Sequence, residues 1–249
     1  MPSRILHLTD PHLHANPDFN HMGVNTRQSL LAVLDHVHAG QHRPDMILVT
    51  GDLTHDETAA GYQQLRLILD AIDAPVYVLP GNHDDPALIS DYLCNPKISN
   101  QASIILNKWQ IIMLDSSIRG SESGELNPSQ LDLLEQYLAS HTDLHTMVCM
   151  HHQPIAVGSQ WLDTMQIKNS EQFMHLIAPH PQVKVVLWGH VHQAFQRLLG
   201  NVQWLASPAT CRQFLPGSDE FAMDEDKGAG YRWLMLADTG ELESQVIWL

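Results

Sequence analysis

The chain is short of positive charge. Its 249 residues hold 13 Lys and Arg against 28 Asp and Glu, a formal net charge of −15. No run of Lys or Arg occurs, so the basic track that grips a nucleic-acid duplex is missing. An acidic balance also disfavours docking on anionic membrane surfaces. Cysteine is scarce as well. Cys94, Cys149 and Cys211 are widely separated, which excludes a disulfide framework and a cysteine-ligated structural zinc site. No apolar stretch reaches the length of a membrane span, and the run from Met1 to Ile5 has no signal-peptide core. These absences predict a cytoplasmic protein with neither a membrane nor a nucleic-acid duplex as partner. Composition is otherwise that of a globular chain, 44% hydrophobic and 16% charged. The length suits one domain over residues 1–249 with a sizeable core.

Histidine is present in quantity: 17 residues, more than Lys and Arg combined. Imidazole is the commonest metal ligand in proteins. More than half of these histidines read as surface groups; the rest draw their interest from where they stand.

Short apolar runs alternate with amphipathic stretches. Ile5–Leu8, Met46–Val49 and Val76–Leu79 read as buried strands. Leu30, Leu34 and Val37 mark a helix between the first two, and Leu65, Ile68, Leu69 and Ile72 another between the next two. This βαβαβ rhythm predicts parallel strands with helical crossovers. Ile104–Leu106 and Ile111–Leu114 flank Asn107-Lys108 as a hairpin. Asn127-Pro128 starts a helix that continues through Leu131, Leu134 and Leu138. Further strands are expected at Thr146–Met150, Val183–Trp188, Phe195–Leu198, Val202–Leu205, Trp233–Leu236 and Val246–Leu249, the late ones antiparallel. Residues 208–230, with Pro216-Gly217 and Asp224-Glu225-Asp226, read as a long functional loop.

Polar clusters follow five of the strands: Thr9-Asp10-Pro11-His12, Gly51-Asp52 through Asp56, Gly81-Asn82-His83-Asp84, His151-His152-Gln153-Pro154 and Gly189-His190-Val191-His192. Each alone is an ordinary turn. Ligands in α/β sheets bind at the carboxyl ends of strands, so five such turns predict one shared site. His190 and His192 alternate, which would point both imidazoles from a strand toward one ion.

The series Asp10-x-His12, Gly51-Asp52, Gly81-Asn82-His83-Asp84, His152-x-Pro154 and Gly189-His190-x-His192 resembles the calcineurin-like metallophosphoesterase superfamily. Gly23–Thr26, Pro154–Asp163, Ser207–Phe214 and Gly230–Leu234 resemble its class III cyclic-nucleotide phosphodiesterases, the bacterial 3′,5′-cyclic-AMP group. The resemblance implies a four-layer αββα sandwich of two mixed sheets. It implies two divalent or trivalent ions, Fe, Mn, Zn or Co, on Asp10, His12 and His192 at one end and Asn82, His152 and His190 at the other, with Asp52 between them. His152 is chosen over His151 because the family ligand stands two residues before a proline. Asn82 and His83 would be catalytic. Asn82, His83, His12 and His192 would meet the substrate. Asp84 and His55 read as supporting or turn residues.

The chemistry agrees with this donor set. Two neighbouring ions can activate water at neutral pH and stabilise both attacking and leaving oxygens. An Asp/Asn/His shell suits Mn, Fe, Co or Zn better than Mg. His83 is placed to give a proton to the departing alkoxide. The expected reaction is hydrolysis of 3′,5′-cyclic AMP to 5′-AMP. The alternative is a broader phosphoesterase acting on glycerophosphodiesters, 2′,3′-cyclic nucleotides or phosphomonoesters. A non-catalytic interaction module would have lost some of these residues. Residues 208–230 are expected to form a cap or a dimer contact, with monomer and homodimer both open.

Overall fold

The computed structural model describes residues 2–40 and 42–249. Two six-stranded mixed sheets carry the chain. The first has the order β14 (Leu242–Trp248), β13 (Gly230–Leu236), β1 (Ser3–Leu8), β4 (Met46–Thr50), β5 (Val76–Leu79), β6 (Ile98–Ser99). The second has β11 (Phe195–Leu199), β12 (Val202–Ala206), β10 (Val183–Trp188), β9 (His145–Cys149), β8 (Trp109–Met113), β7 (Ser103–Leu106). A hairpin of β2 (Asn20–His21) and β3 (Val24–Asn25) stands apart.

Side-chain alternation along the strands decides the layering. Ile5, Leu48, Leu79, Ile111, Met147, Val185 and Leu187 share one core with Trp109 and Leu234, built from both sheets. Their neighbours Leu6, Ile47 and Val49 belong to a second core. There they meet Leu30 and Val33 of α1 (Thr26–Ala39) and Leu65 and Ile68 of α2 (Ala59–Asp70). Val148, Val186 and Trp188 belong to a third, with Leu131 and Leu134 of α4 (Pro128–Ser140) and Phe173 and Ile177 of α6 (Ser170–Ile177). The result is the expected order of helix, sheet, sheet, helix. Strands buried on both faces explain why β1, β4 and β10 read as near-continuous apolar runs.

Local signals hold where they rest on caps and turns. Asn127 accepts from Gln130 N–H ahead of Pro128. Asn107-Lys108 joins β7 to β8, with Leu106 paired to Trp109 and Asn107 at φ 53°. Residues 208–229 lack regular structure apart from one bridge between Phe214 and Met223, and Gly230 opens β13.

The late strands differ from expectation in one pairing. β11–β12 and β13–β14 are antiparallel, but β12 lies parallel to β10. β11 turns back one position away from β10, and β12 fills the gap. Six short elements give no periodic signal: β2 and β3 of the hairpin, β6, α3 (Pro86–Leu88), the wide helical turn at Ile89–Leu93, and α5 (Gln160–Asp163). The eight-residue α6, with two buried positions, gives no period either. Among the described residues no helix is long and apolar enough to cross a membrane.

Candidate functional site

β1, β4 and β5 run parallel in one sheet, and β8, β9 and β10 in the other. The loops after β1, β4, β5, β9 and β10 are laced together at their carboxyl ends. Asp10 N–H donates to Gly51 O (3.2 Å), His12 N–H to Asp52 O (2.9 Å) and Gly189 N–H to His151 O (3.1 Å). This close approach explains two glycines. Gly51 adopts φ +89°, and a Cβ there would strike the His151 ring. A Cβ on Gly81 would fall on the Asp52 carboxylate. Five non-glycine residues of the site also take left-handed backbone: Asp10, His12, Asp52, His190 and His192, at φ 44–63°.

Two poles result. At the first, Asp10, His12, Asp52 and His192 each bring one ligand-type atom within 4.8 Å of the others, all buried. His12 Nε2 lies 3.5 Å from Asp52 Oδ2, and His192 Nε2 lies 3.4 Å from Asp10 Oδ1. His192 Nδ1 donates to Arg212 O at 2.7 Å, which turns Nε2 toward Asp10 and His12. Burial would lower this imidazole, but Asp10 outweighs it and shifts the group above its usual range. Asp10 itself is held by Thr9 Oγ1 (2.7 Å) and His190 N–H (3.1 Å).

At the second pole, His151 Nδ1 donates to Thr50 O at 2.8 Å. Its Nε2 lies 3.2 Å from Asp52 Oδ1 and 3.1 Å from Asn82 Oδ1. Asn82 Nδ2 donates to Glu122 Oε2 at 3.1 Å. His151, His152 and His190 form a second cluster within 4.8 Å. His152 Nδ1 pairs with Ser116 Oγ (2.9 Å), while His152 Nε2 and His190 Nε2 are buried with no partner among the described residues. Buried nitrogens left bare are costly unless something binds them, so this donor set fits a cation. Asp52 reaches both poles, Oδ1 at one and Oδ2 at the other.

Electrostatics follow from this crowding. Burial holds His12 and His152 well below the usual imidazole range and His190 at about 3, so all three are neutral lone-pair donors. Burial alone would raise Asp52, but the neighbouring His151 and His12 hold it well below the usual carboxylate range. Burial likewise opposes a charge on His151, and Asp52 outweighs it, lifting the imidazole to about 9. A proton on His151 and a cation at this pole therefore compete for one carboxylate.

Supporting residues fix the loops. Asp84 accepts from the backbone N–H of Leu53 (3.0 Å), Thr54 (3.2 Å) and Gly81 (2.8 Å) and from Tyr62 Oη (3.0 Å), clamping the loop of Asp52 to that of Asn82. Burial, then the charge of Asp52, pushes Asp84 up to about 7. His83 N–H donates to Asp52 Oδ1 (3.0 Å), and its ring stacks on His55 at 5.1 Å. Behind the site, His7 and Arg232 face each other across β1 and β13. His7 Nε2 pairs with Thr50 Oγ1 (2.8 Å), and both His7 Nδ1 and Arg232 Nε bond Ser207 Oγ.

All the residues singled out in the sequence gather here, with two differences in how. His190 and His192 do not project from a strand toward one pole, as alternation alone suggests, but divide between the two clusters as the resemblance implies. β10 ends at Trp188, and the left-handed turn sends His190 to His151 and His152 and His192 to Asp10 and His12. Of the doublet, His151 faces Asp52 and Asn82, while His152 sits against Ser116 and His190. Glu122 and Ser116 carried no sequence signal: they lie in an irregular stretch after β8, with no motif spacing to the histidines.

A cavity of about 250 Å³ adjoins both poles. His12, Asp52, Asn82, His83, His190 and His192 line it together with His21, His55, Glu122 and an apolar group that includes Trp161, Phe214 and Phe221.

Residues 3–194 match the calcineurin-like phosphoesterase family. The chain is 37% identical over 242 residues to the 3′,5′-cyclic adenosine monophosphate phosphodiesterase CpdA of Pseudomonas aeruginosa, covering 97% of this chain and 88% of that protein. It is 35% identical over 246 residues to a 3′,5′-cyclic-nucleotide phosphodiesterase of Nostoc, covering 99% and 92%. A dimetal phosphatase from Danio rerio has the same fold, with TM-score 0.64 and 15% identity over 100% of this chain and 99% of that one.

Proposed function

Because the chain belongs to the calcineurin-like phosphoesterase family, we propose that it hydrolyses 3′,5′-cyclic AMP to 5′-AMP at a dinuclear metal centre. The observation that carries this reading is Asp52, whose two carboxylate oxygens face two separate clusters of buried imidazoles. Asp10, His12, Asp52 and His192 would hold one ion. Asp52, Asn82, His190 and one or both of His151 and His152 would hold the other, with His151 favoured by its distances to Asp52 and Asn82. The names of the relatives support the cyclic-nucleotide substrate.

Bound ions of this kind supply a nucleophile at neutral pH and neutralise developing charge on the phosphoryl oxygens. The chain's own residues do the rest. Asn82, His83, His12 and His192 border the cavity and would orient the phosphate. His83 lines the cavity wall and would donate a proton to the departing ribose 3′-oxygen. Asp84 keeps the Asp52 and Asn82 loops in fixed register. The donor set suits Fe, Mn, Zn or Co rather than Mg. The three thiols are unpaired, which fits a reducing cytoplasm. Residues 208–230 place Phe214 and Phe221 on the cavity, consistent with a cap in a single domain.

The test loads the protein with Mn, Fe, Zn or Co in turn, counts bound ions and identifies products from a substrate panel. We expect two ions per chain and 5′-AMP from 3′,5′-cyclic AMP. Faster turnover of glycerophosphodiesters, 2′,3′-cyclic nucleotides or monoesters would replace this reading with the broader phosphoesterase. Protein that binds no ion would overturn both.

A further inference from the structure

The cavity has two chemically distinct halves. One is the Asp, Asn and His cluster. The other is aromatic: Trp161 packs edge-on against Phe214 (5.0 Å) and Phe221 (5.3 Å), and Phe214 lies 5.5 Å from Phe221. Phe214 also stacks on His192 at 4.5 Å with its plane tilted only 18°. The aromatic half is therefore tied directly to the first pole.

Phe221 is the anomaly. It is 55% exposed, belongs to none of the three cores, and comes from the irregular segment between Phe214 and Met223. Met22, 40% exposed at the tip of the β2–β3 hairpin, lines the same cavity. A phosphodiester needs no such surface, since its charge is met by the cluster. A flat heterocycle does need it, because base–aromatic stacking is a strong and sequence-tolerant source of binding. The polar half and the aromatic half lie in one cavity, as the two ends of a nucleoside phosphate require.

We propose that Trp161 and Phe221, supported by Phe214, form the wall on which the nucleobase of the substrate stacks, so that the site selects nucleoside phosphates over phosphodiesters without a base. This rests on the phosphodiesterase reading above and extends it to the residues that choose the substrate. His192, held by Phe214 on one side and by Arg212 O on the other, links the base wall to the phosphate end.

The test measures calorimetric affinity of the metal-loaded protein for 5′-AMP and for ribose 5-phosphate, which lacks only the base. We expect 5′-AMP to bind more tightly. Phe221→Ala, at an exposed position outside the three cores, should reduce that margin by roughly five- to a hundred-fold with ribose 5-phosphate unchanged. Trp161→Phe keeps a stacking ring, so it should retain most of the margin but abolish the tryptophan quenching that 5′-AMP causes in the parent. Equal affinity for the two ligands in the parent, or a margin that survives Phe221→Ala, would overturn the wall. Failure to hydrolyse any cyclic nucleotide while the margin stands would instead overturn the phosphodiesterase reading and leave the wall intact.

Discussion

Asn82 gives its amide N–H to Glu122 Oε2 at 3.1 Å, and this turns Oδ1 toward His151. An amide has two similar ends, and only the oxygen can bind a cation. A carboxylate on the nitrogen side thus settles which end faces the second pole. Glu122→Ala should weaken binding of one ion roughly 10–100-fold and spare the other. The side chain is exposed, so the melting temperature of the metal-free protein should hold. Chelator titration with metal analysis reads the result; equal loss of both ions would show that Glu122 does not act through Asn82.

His151 and His152 separate by the same method. His151→Ala removes the nitrogen set between Asp52 and Asn82 and should empty the second pole, with activity down by orders of magnitude. His152→Ala leaves that nitrogen in place and should cost less in affinity. The reverse ranking would assign the ligand to His152.

His83 lines the cavity beside Asn82. His83→Ala should leave both ions bound. It should slow cyclic-AMP hydrolysis by about 10²–10⁴-fold and hydrolysis of a nitrophenyl diester far less, because an activated leaving group departs without a proton. Equal slowing of the two substrates would mean that His83 positions phosphate and donates nothing.

His7 provides a pH handle outside the metal cluster. Burial, reinforced by the charge of Arg232, holds it at about 3 against an ordinary 6.5. The folded state therefore binds this proton less readily than the unfolded chain. Its contribution is full above pH 6.5 and is lost as pH falls from there toward 3. His7→Gln should flatten the acid slope of stability by up to about 1.4 kcal/mol per pH unit across that window. Urea melts of metal-free parent and variant between pH 4 and 7 measure the difference; parallel slopes would contradict it.

Much of this site was legible because apolar strands end in polar turns, and parallel strands bring their ends together. Asp10, His12, Asp52, Asn82 and His83 are found by that logic. The division of His190 and His192 between the two clusters follows from the family resemblance but not from residue alternation, since it depends on a left-handed turn that alternation does not encode. Glu122 and Ser116 reach the histidines only through tertiary packing across an irregular stretch. α6 is eight residues with two buried positions, Phe173 and Ile177, too few to fix a period. The pairing of β12 with β10 depends on which gap a hairpin fills, which no local pattern states.

The left-handed backbone at Asp10, His12, Asp52, His190 and His192 bears on how such a sequence can drift. Each of these residues costs on the order of 1–2 kcal/mol relative to ordinary backbone, against a total stability of about 5–15 kcal/mol for a typical domain. Glycine would sit there without strain but would lose the contacts these side chains make, such as His192 with Phe214 and Arg212 O, or Asp52 with His83 N–H. The strain is thus tied to the site and not to the sandwich: glycine at any of the five would relax its turn while removing a donor from one of the two clusters.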